Sequence, residues 1–410
     1  MLHGRRIVFG VSGGIAAYKA ADVVSKLQQT GALVDVILTE RATEFVRPLT
    51  FSTLSHRPVY SDLWEPTGEA AARHIELGNA ADLLIVAPAT ANTIARLAHG
   101  LADDMLGAVA LATTAPLLLA PAMEHHMYQH PATQANLQTL AARGATIIPP
   151  EVGHLASGDI GVGRFPDTPT ILAYIRRLLG RNGDLAGRRV VVTAGGTQEP
   201  IDPVRYIGNR SSGLMGFALA EEARDRGADV TLIVGSTTAP IPHAIEVRPV
   251  TTAIAMRDAV REAVVGADVL VMAAAVADYR VADPARHKIK KGSSAENPDG
   301  SLTLHLVRNP DILAELAAEA SADGLIRVGF AAETTDLAQN ANNKLTSKRL
   351  DMLIANDVSR AGSGFGASTN EVTIFHADGR IEQLTLLPKT EVAAAIWDRV
   401  APLLRPRPSD

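Results

Sequence analysis

Five residues near the amino terminus, Gly10-Val11-Ser12-Gly13-Gly14, offer bare backbone amides where a strand hands over to a helix, and amides so placed can hold a phosphate. The same five match the Gly-x-Ser-x-Gly elbow of hydrolases, but that elbow follows several strands and this one follows the first. A turn kept for tight packing is the bland alternative. A stronger anion site is Gly208-Asn209-Arg210-Ser211-Ser212-Gly213, which brings amides, two hydroxyls and a guanidinium to the start of another helix. In the same half Asp278 ends an apolar run, and Lys288, Lys290, Lys291, Lys344 and Lys348 supply cations. Aspartate suits a hydroxyl or a metal and lysines suit phosphates, so the set fits a nucleoside triphosphate; a solvated strand edge that deters aggregation is the competing use of the lysines. Pro88-Ala89-Thr90-Ala91-Asn92 follows an apolar run and belongs at the carboxyl edge of a sheet, where open α/β folds take ligands. His74 is either a general base or a surface histidine. Glu124, His125, His126 and His130 resemble a metal cluster, with His126 and His130 four apart, but Pro121 and Pro131 bracket the segment, and no metal ligands are assigned.

The elements that must carry these residues occur twice. Residues 6–10 form a β-branched run, the glycine turn follows, and residues 15–30 place apolar side chains at helical spacing. Gly31 ends that helix, and strand-like runs at 34–38, 83–87, 116–120 and 146–148 alternate with helical segments. At 188–193 the pattern restarts: Val190-Val191-Val192 leads into Gly195-Gly196, a long loop, a helix over 213–226 and a strand over 229–234. The fold class is therefore α/β, with two doubly wound, Rossmann-like or flavodoxin-like parallel-sheet domains, residues 1–183 and 184–410. The seam falls in the polar stretch Arg181-Asn182-Gly183-Asp184 after a helix at 170–179. The second domain gains an antiparallel hairpin, because 371–375 and 381–386 alternate around Asp378-Gly379. Residues 292–300, small and polar, read as a mobile loop and candidate lid, and 405–410 as an unstructured tail.

Composition bounds the function further. The 410 residues, 47% hydrophobic and 20% charged, suit two or three cores. Thirty-nine Lys and Arg against 44 Asp and Glu give a formal charge of −5, which argues against nucleic acid as the partner. With no cysteine there is no disulfide, thiolate metal site or cysteine nucleophile, and a reducing cytoplasm fits. The longest apolar stretches, 81–91 and 269–277, fall short of the roughly 20 residues that span a bilayer, and the amino terminus lacks the pattern of a signal peptide.

Taken with His74-Ile75-Glu76-Leu77, Pro121-Ala122-Met123, Thr193-Ala194-Gly195-Gly196-Thr197, Ala273-Ala274-Ala275-Val276-Ala277-Asp278-Tyr279, Lys288-Ile289-Lys290-Lys291, Asn309-Pro310-Asp311-Ile312 and Gly329-Phe330-Ala331-Ala332-Glu333-Thr334, these motifs are specific. The chain closely resembles the bacterial family of coenzyme A biosynthesis enzymes that fuse a phosphopantothenoylcysteine decarboxylase to a phosphopantothenate–cysteine ligase. The resemblance implies FMN in the first domain, its phosphate on Ser12, Gly13 and Gly14 and its ring near Thr39, Phe51, Pro88, Ala89, Thr90 and Asn92. It implies that His74 is the catalytic base of a decarboxylation in which oxidation of the thiol-bearing carbon creates the electron sink. For the second domain it implies that CTP, with Mg²⁺, activates 4′-phosphopantothenate as an acyl cytidylate, which the amine of cysteine attacks. The nucleotide positions are Ala273, Ala274, Asp278, Lys288, Pro310, Asp311, Ile312, Leu313, Phe330, Lys344 and Lys348; Asn209 holds the acyl intermediate and Arg205 supports it. Family members assemble through trimers of the first domain and dimers of the second, which implies a homododecamer.

Two departures stand out. The family often has Asn at the position of Glu124, and Cys at the position of Ser157 in the flap Leu155-Ala156-Ser157-Gly158-Asp159-Ile160-Gly161. A serine hydroxyl is a poor proton donor to carbon, so Glu124 is expected to supply the final proton, its pKa raised beside the substrate carboxylate; the alternative is that Ser157 orders a water in the flap and Glu124 points to solvent. Alternatives are a flavin-domain relative that acts on another thiol acid or transfers a prenyl group, and a nonenzymatic flavin- or nucleotide-binding scaffold. The ligase half counts against the first, and His74, Asn209 and Lys288 against the second.

Overall fold

The computed structural model describes residues 1–64, 73–290, 301–319, 324–333, 337–357 and 366–405. Lys291, the candidate lid at 292–300 and the tail from 406 lie outside the described residues. The chain divides into two compact units, Met1–Gly180 and Arg181–Asp410.

In the first unit, Arg6–Val11, Leu33–Leu38, Val59–Tyr60, Leu83–Ala89, Leu117–Pro121 and Thr146–Ile147 form one sheet. All its pairings are parallel, in the spatial order third, second, first, fourth, fifth, sixth. The winding reverses between Arg6–Val11 and Leu83–Ala89, so the crevice at the carboxyl ends of these neighbours is a topological switch point. Both faces of the sheet are covered, which is why its strands read as continuous apolar runs. Ile7, Phe9 and Ile85 pack with Val23, Val24 and Leu27 on one face, while Val8, Leu84 and Val86 pack with Ile94 and Leu106 on the other. Asp35 interrupts the second strand. Its buried carboxylate is tolerated because Arg6 Nε and Arg57 Nε each donate to it at 2.7 Å.

The second unit contains an eight-stranded sheet in the spatial order Glu246–Pro249, Asp229–Val234, Arg189–Ala194, Val269–Met272, Ile326–Glu333, Met352–Asp357, Thr369–His376, Ile381–Pro388. The first six are parallel and the last two antiparallel, so the expected hairpin is present. Its turn closes with Gly379 N–H donating to His376 O at 3.0 Å, and Gly379 takes φ 89°, which glycine adopts without strain. The helix Leu214–Asp225 lies directly on Arg189–Ala194: a Cβ at Gly216 would stand 2.6 Å from Ala194 Cβ. The helix Lys389–Val400 packs against it through the fully buried Trp397, whose Nε1–H donates to Leu219 O at 2.9 Å. Two short antiparallel pairs, Gln198–Pro200 with Tyr206–Gly208 and Tyr279–Val281 with Leu306–Arg308, were not among the sequence expectations. At three residues a strand is too short for periodicity to register. No helix among the described residues is long and apolar enough to cross a membrane.

Candidate active sites

A cavity of about 500 Å³ opens at the switch point of the first sheet. Its wall comes from the turn after the first strand (Gly13, Gly14), the turn after Leu83–Ala89 (Pro88, Thr90), the stretch around Glu124, and a hairpin formed by Glu151–His154 and Ile160–Arg164 that carries Ser157. The hairpin is seated by Met123 N–H donating to Gly163 O at 3.0 Å. Gly163 permits this approach, since a Cβ there would stand 2.1 Å from Met123 O. His154 and Arg164 also line the cavity and were missed in the sequence, where nothing marks them except their place beside the flap.

Several residues expected around the flavin stand outside the wall of this cavity. Ser12 is fully buried; its hydroxyl donates to Pro88 O at 2.7 Å and accepts from Thr90 N–H at 2.9 Å, so it straps the two ligand-facing turns together and does not line the cavity. Phe51 is buried in the core, Ala89 is buried within its strand, Thr39 precedes the short helix Glu40–Glu44, and Asn92 is exposed. None of these four is in the cavity wall. Gly13 owes its glycine to backbone packing, because a Cβ would come within 2.4 Å of Arg41 Cβ, whereas one at Gly14 would meet only Thr90 Cγ2, at 3.4 Å. His74 is half-buried in the helix Arg73–Ala80 and also stands outside the wall.

Glu124 is held by local donors. It caps the helix His125–Gln129, accepting from His126 N–H at 2.8 Å and Met127 N–H at 3.2 Å, and the imidazoles of His125 and His126 lie against it. Desolvation raises its pKa, but the two amides and two imidazoles outweigh that and hold the carboxyl below its ordinary value. The raised pKa expected from the sequence depends on a substrate carboxylate beside it; the local donors by themselves favour the carboxylate form. Its contribution to stability is present above the unfolded pKa, near 4.5, and is lost as pH falls through the lower folded value. Glu124→Gln should flatten the acid limb of the first unit's melting-temperature profile, read by calorimetry; accumulation of the unsaturated decarboxylation product, read by mass, tests Glu124 as the final proton donor. His126 and His130 do not share a helical face. The helix ends at Gln129, and His130 caps the next one, its Nδ1 accepting from Ala132 N–H at 3.2 Å; the ligand-bearing atoms that converge are those of Glu124, His125 and His126.

The second unit has a cavity of about 710 Å³, also at the carboxyl edge of its parallel strands. Asn209, Ser211, Ser212 and Gly213 approach from the long loop, and Ala273, Ala274 and Asp278 from the stretch after Val269–Met272. Pro310, Asp311, Ile312 and Leu313 open a helix on one side, and Phe330, Lys344 and Lys348 complete the set expected there. Asp311 is already engaged, capping Ala314 N–H at 3.1 Å and pairing with Lys348 Nζ at 2.9 Å. Asn356, Asn370 and the buried Lys389 line the cavity too and were missed. Lys389 had a legible signal: a cation in the first turn of a helix opposes the dipole and calls for a local reason. Its ammonium donates to Ala367 O, and burial lowers its pKa.

The floor of this cavity is held from beneath. Thr193 Oγ1 accepts from Ala274 N–H at 3.1 Å, buried Thr197 Oγ1 accepts from Ala277 N–H at 2.9 Å, and Asn309 Nδ2 donates to Ala277 O at 2.8 Å. Asn209 Nδ2 donates to Val276 O at 3.2 Å. Thr197→Val keeps the shape and strands a buried amide, so it should cost the second unit about 1–3 kcal/mol, seen as a lower melting temperature. Lys288 and Arg205 stand outside this wall.

Residues 1–180 match the family described as Flavoprotein, and residues 185–403 the family described as DNA/pantothenate metabolism flavoprotein C-terminal domain. Among curated proteins, the Coenzyme A biosynthesis bifunctional protein CoaBC of Bacillus subtilis (strain 168) is 45% identical over 98% of this chain and 98% of its own length. Its counterpart in Escherichia coli (strain K12) is 46% identical over 92% of each chain, and that of Mycobacterium bovis 45% identical over 98% of this chain and 97% of the relative. Two halves of matching family, in the same order and over nearly the whole length, leave one conclusion: the chain belongs to the family of coenzyme A biosynthesis bifunctional proteins.

Proposed function

We propose that the second unit joins cysteine to 4′-phosphopantothenate at the expense of CTP, through an acyl cytidylate, and that the first unit decarboxylates the product to 4′-phosphopantetheine with FMN. The observation that carries this reading is the pair of separate cavities, each at the carboxyl edge of its own parallel sheet and each walled by the motif residues of one half-reaction. Both volumes lie within the range of about 300–1,000 Å³ usual for small-molecule sites.

The first cavity fits a flavin mononucleotide: it is a switch-point crevice, largely apolar, with the side-chain-free Gly14 beside Thr90 leaving backbone open to a phosphate. Gly13, Gly14, Pro88 and Thr90 would hold it. When bound, FMN supplies a two-electron acceptor and donor for the decarboxylation. His74 acts as base on the substrate, and the flap hairpin bearing Ser157 covers the substrate and excludes water. His74 lies outside the cavity of its own chain, which agrees with assembly through trimers whose sites fall between subunits; Lys288 and Arg205 stand in the same relation to the second cavity, in agreement with dimers. The same reading takes the assembly as a homododecamer and the compartment as a reducing cytoplasm.

Lys344 and Lys348 of the second cavity, with Lys288 from outside its wall, offset the triphosphate charge, and Asp278 is the carboxylate open to a Mg²⁺–nucleotide, since Asp311 already pairs with Lys348. Asn209, tied to the Val276 carbonyl, is placed to hold the acyl intermediate while cysteine attacks. Incubation with 4′-phosphopantothenate, cysteine, CTP and Mg²⁺, followed by mass analysis, tests both halves: phosphopantetheine is expected, and recovery of unchanged phosphopantothenate overturns the reading. Gly13→Val is expected to weaken FMN binding about tenfold or more, the overpacking at Arg41 costing about 1–3 kcal/mol, as read by flavin absorbance after dialysis.

A further inference from the structure

Lys288 carries a charge that the ligase reaction needs, yet no regular element holds its segment. What holds it is one ion pair, between the buried carboxylate of Asp202 and the exposed Arg205. The turn from Ile201 to Arg205 closes with Ile201 N–H donating to Arg205 O at 2.8 Å. Within it the fully buried Asp202 carboxylate accepts from Val204 N–H and Arg205 N–H on Oδ1, both at 2.8 Å. On Oδ2 it accepts from Arg205 Nε at 3.0 Å, Arg205 Nη2 at 2.5 Å and Ile289 N–H at 3.1 Å. Arg205 Nη2 also donates to Ile289 O at 2.9 Å. Both hydrogen-bonding groups of Ile289 are therefore gripped by the pair, and Ala285 N–H, donating to Ile201 O at 2.9 Å, ties the same stretch further back. Ile289 is half-buried, while Lys288 and Lys290 on either side are exposed.

Burying a carboxylate is expensive unless its lone pairs are filled, and an apolar residue would serve plain cohesion as well or better. What this arrangement adds is orientation. It fixes the peptide planes on both sides of Ile289 and leaves Lys288 only its side-chain freedom. We propose that Asp202 is a positioning residue of the ligase reaction, fixing through Arg205 and the Ile289 backbone the point from which Lys288 reaches the nucleotide. The inference rests on the ligase reading above.

In Asp202→Asn the amide nitrogen must face N–H donors whichever way it is turned, the Val204 and Arg205 amides on one side or Ile289 N–H and the guanidinium on the other, and the charge on the guanidinium's partner is gone, so the grip is weakened while the side-chain volume is kept. The kcat for CTP-dependent pyrophosphate release should fall about 10- to 100-fold, the size of effect that misplacing a reacting group produces. The KM for CTP should change by less than about threefold, which also shows that the second unit is folded. Asp202→Ser should behave alike, and in both variants the Ile289 amide should exchange its hydrogen faster than in the parent. The deciding measurement is a cycle with Lys288→Gln: if Asp202 acts through Lys288, adding Asp202→Asn to that variant slows it by less than about twofold. The proposal is overturned if the second substitution slows Lys288→Gln by the factor seen in the parent, or if neither Asp202 variant alters kcat. A parent enzyme that releases no pyrophosphate from CTP and phosphopantothenate would overturn the ligase reading itself, and is distinguished by that control.

Discussion

His74→Gln is expected to slow carbon dioxide release from phosphopantothenoylcysteine by about 10²- to 10⁴-fold, the range that a positioned general base supplies. Glutamine keeps the size and a hydrogen-bonding end but cannot take up the proton. Flavin content measured on the same sample separates loss of the base from loss of FMN. Pyrophosphate release by the second unit should stay at the parent rate, which separates loss of chemistry from loss of folding. Single-turnover measurement of carbon dioxide with flavin content determined on the same sample checks the expectation; a variant within about threefold of the parent would remove His74 from the role of base.

Lys288→Gln should lower acyl-cytidylate formation by about 10²- to 10³-fold, comparable with the loss of a preorganised charge at a developing anion. Two anions, a carboxylate and a triphosphate, must approach, and removing a cation raises that barrier more than it weakens CTP binding. Quenched-flow detection of pyrophosphate and of the acyl cytidylate reads this directly. Asn209→Asp, by contrast, should act after activation, so that the intermediate accumulates rather than failing to form. Intermediate formed and consumed by both variants at the parent rate would refute both roles.

Most of the fold was legible because its signals are strong: β-branched runs ending in glycine turns, helical spacing after each, and Asp378-Gly379 between two alternating segments. The residue content of the second cavity was legible as well, since its motifs sit where strands end, and eleven of its expected residues share the site with only Lys288 and Arg205 apart. What sequence could not give is the direction a small side chain faces. Ser12, Thr193 and Thr197 all sit in motifs that read as ligand loops, yet the hydrogen bonds described for their hydroxyls go inward to backbone groups of neighbouring turns. Each such bond joins residues about 80 positions apart, and no local pattern encodes a partner at that separation. The donors to Glu124 escaped for a different reason: the structure starts a short helix at His125, and its first amides point at the carboxylate.

Among the described residues the four apolar clusters divide evenly: two draw on residues of Met1–Gly180 and two on residues of Arg181–Asp410. Heat therefore has two structures to melt rather than one, and a single transition temperature describes neither. Each ligand then becomes a label for its own endotherm: a compound that binds only one native unit raises that unit's step by mass action and leaves the other where it was. A scan with FMN in excess and another with CTP in excess would assign the two heats without any substitution, and would sort inhibitors by the half they occupy before a rate is measured.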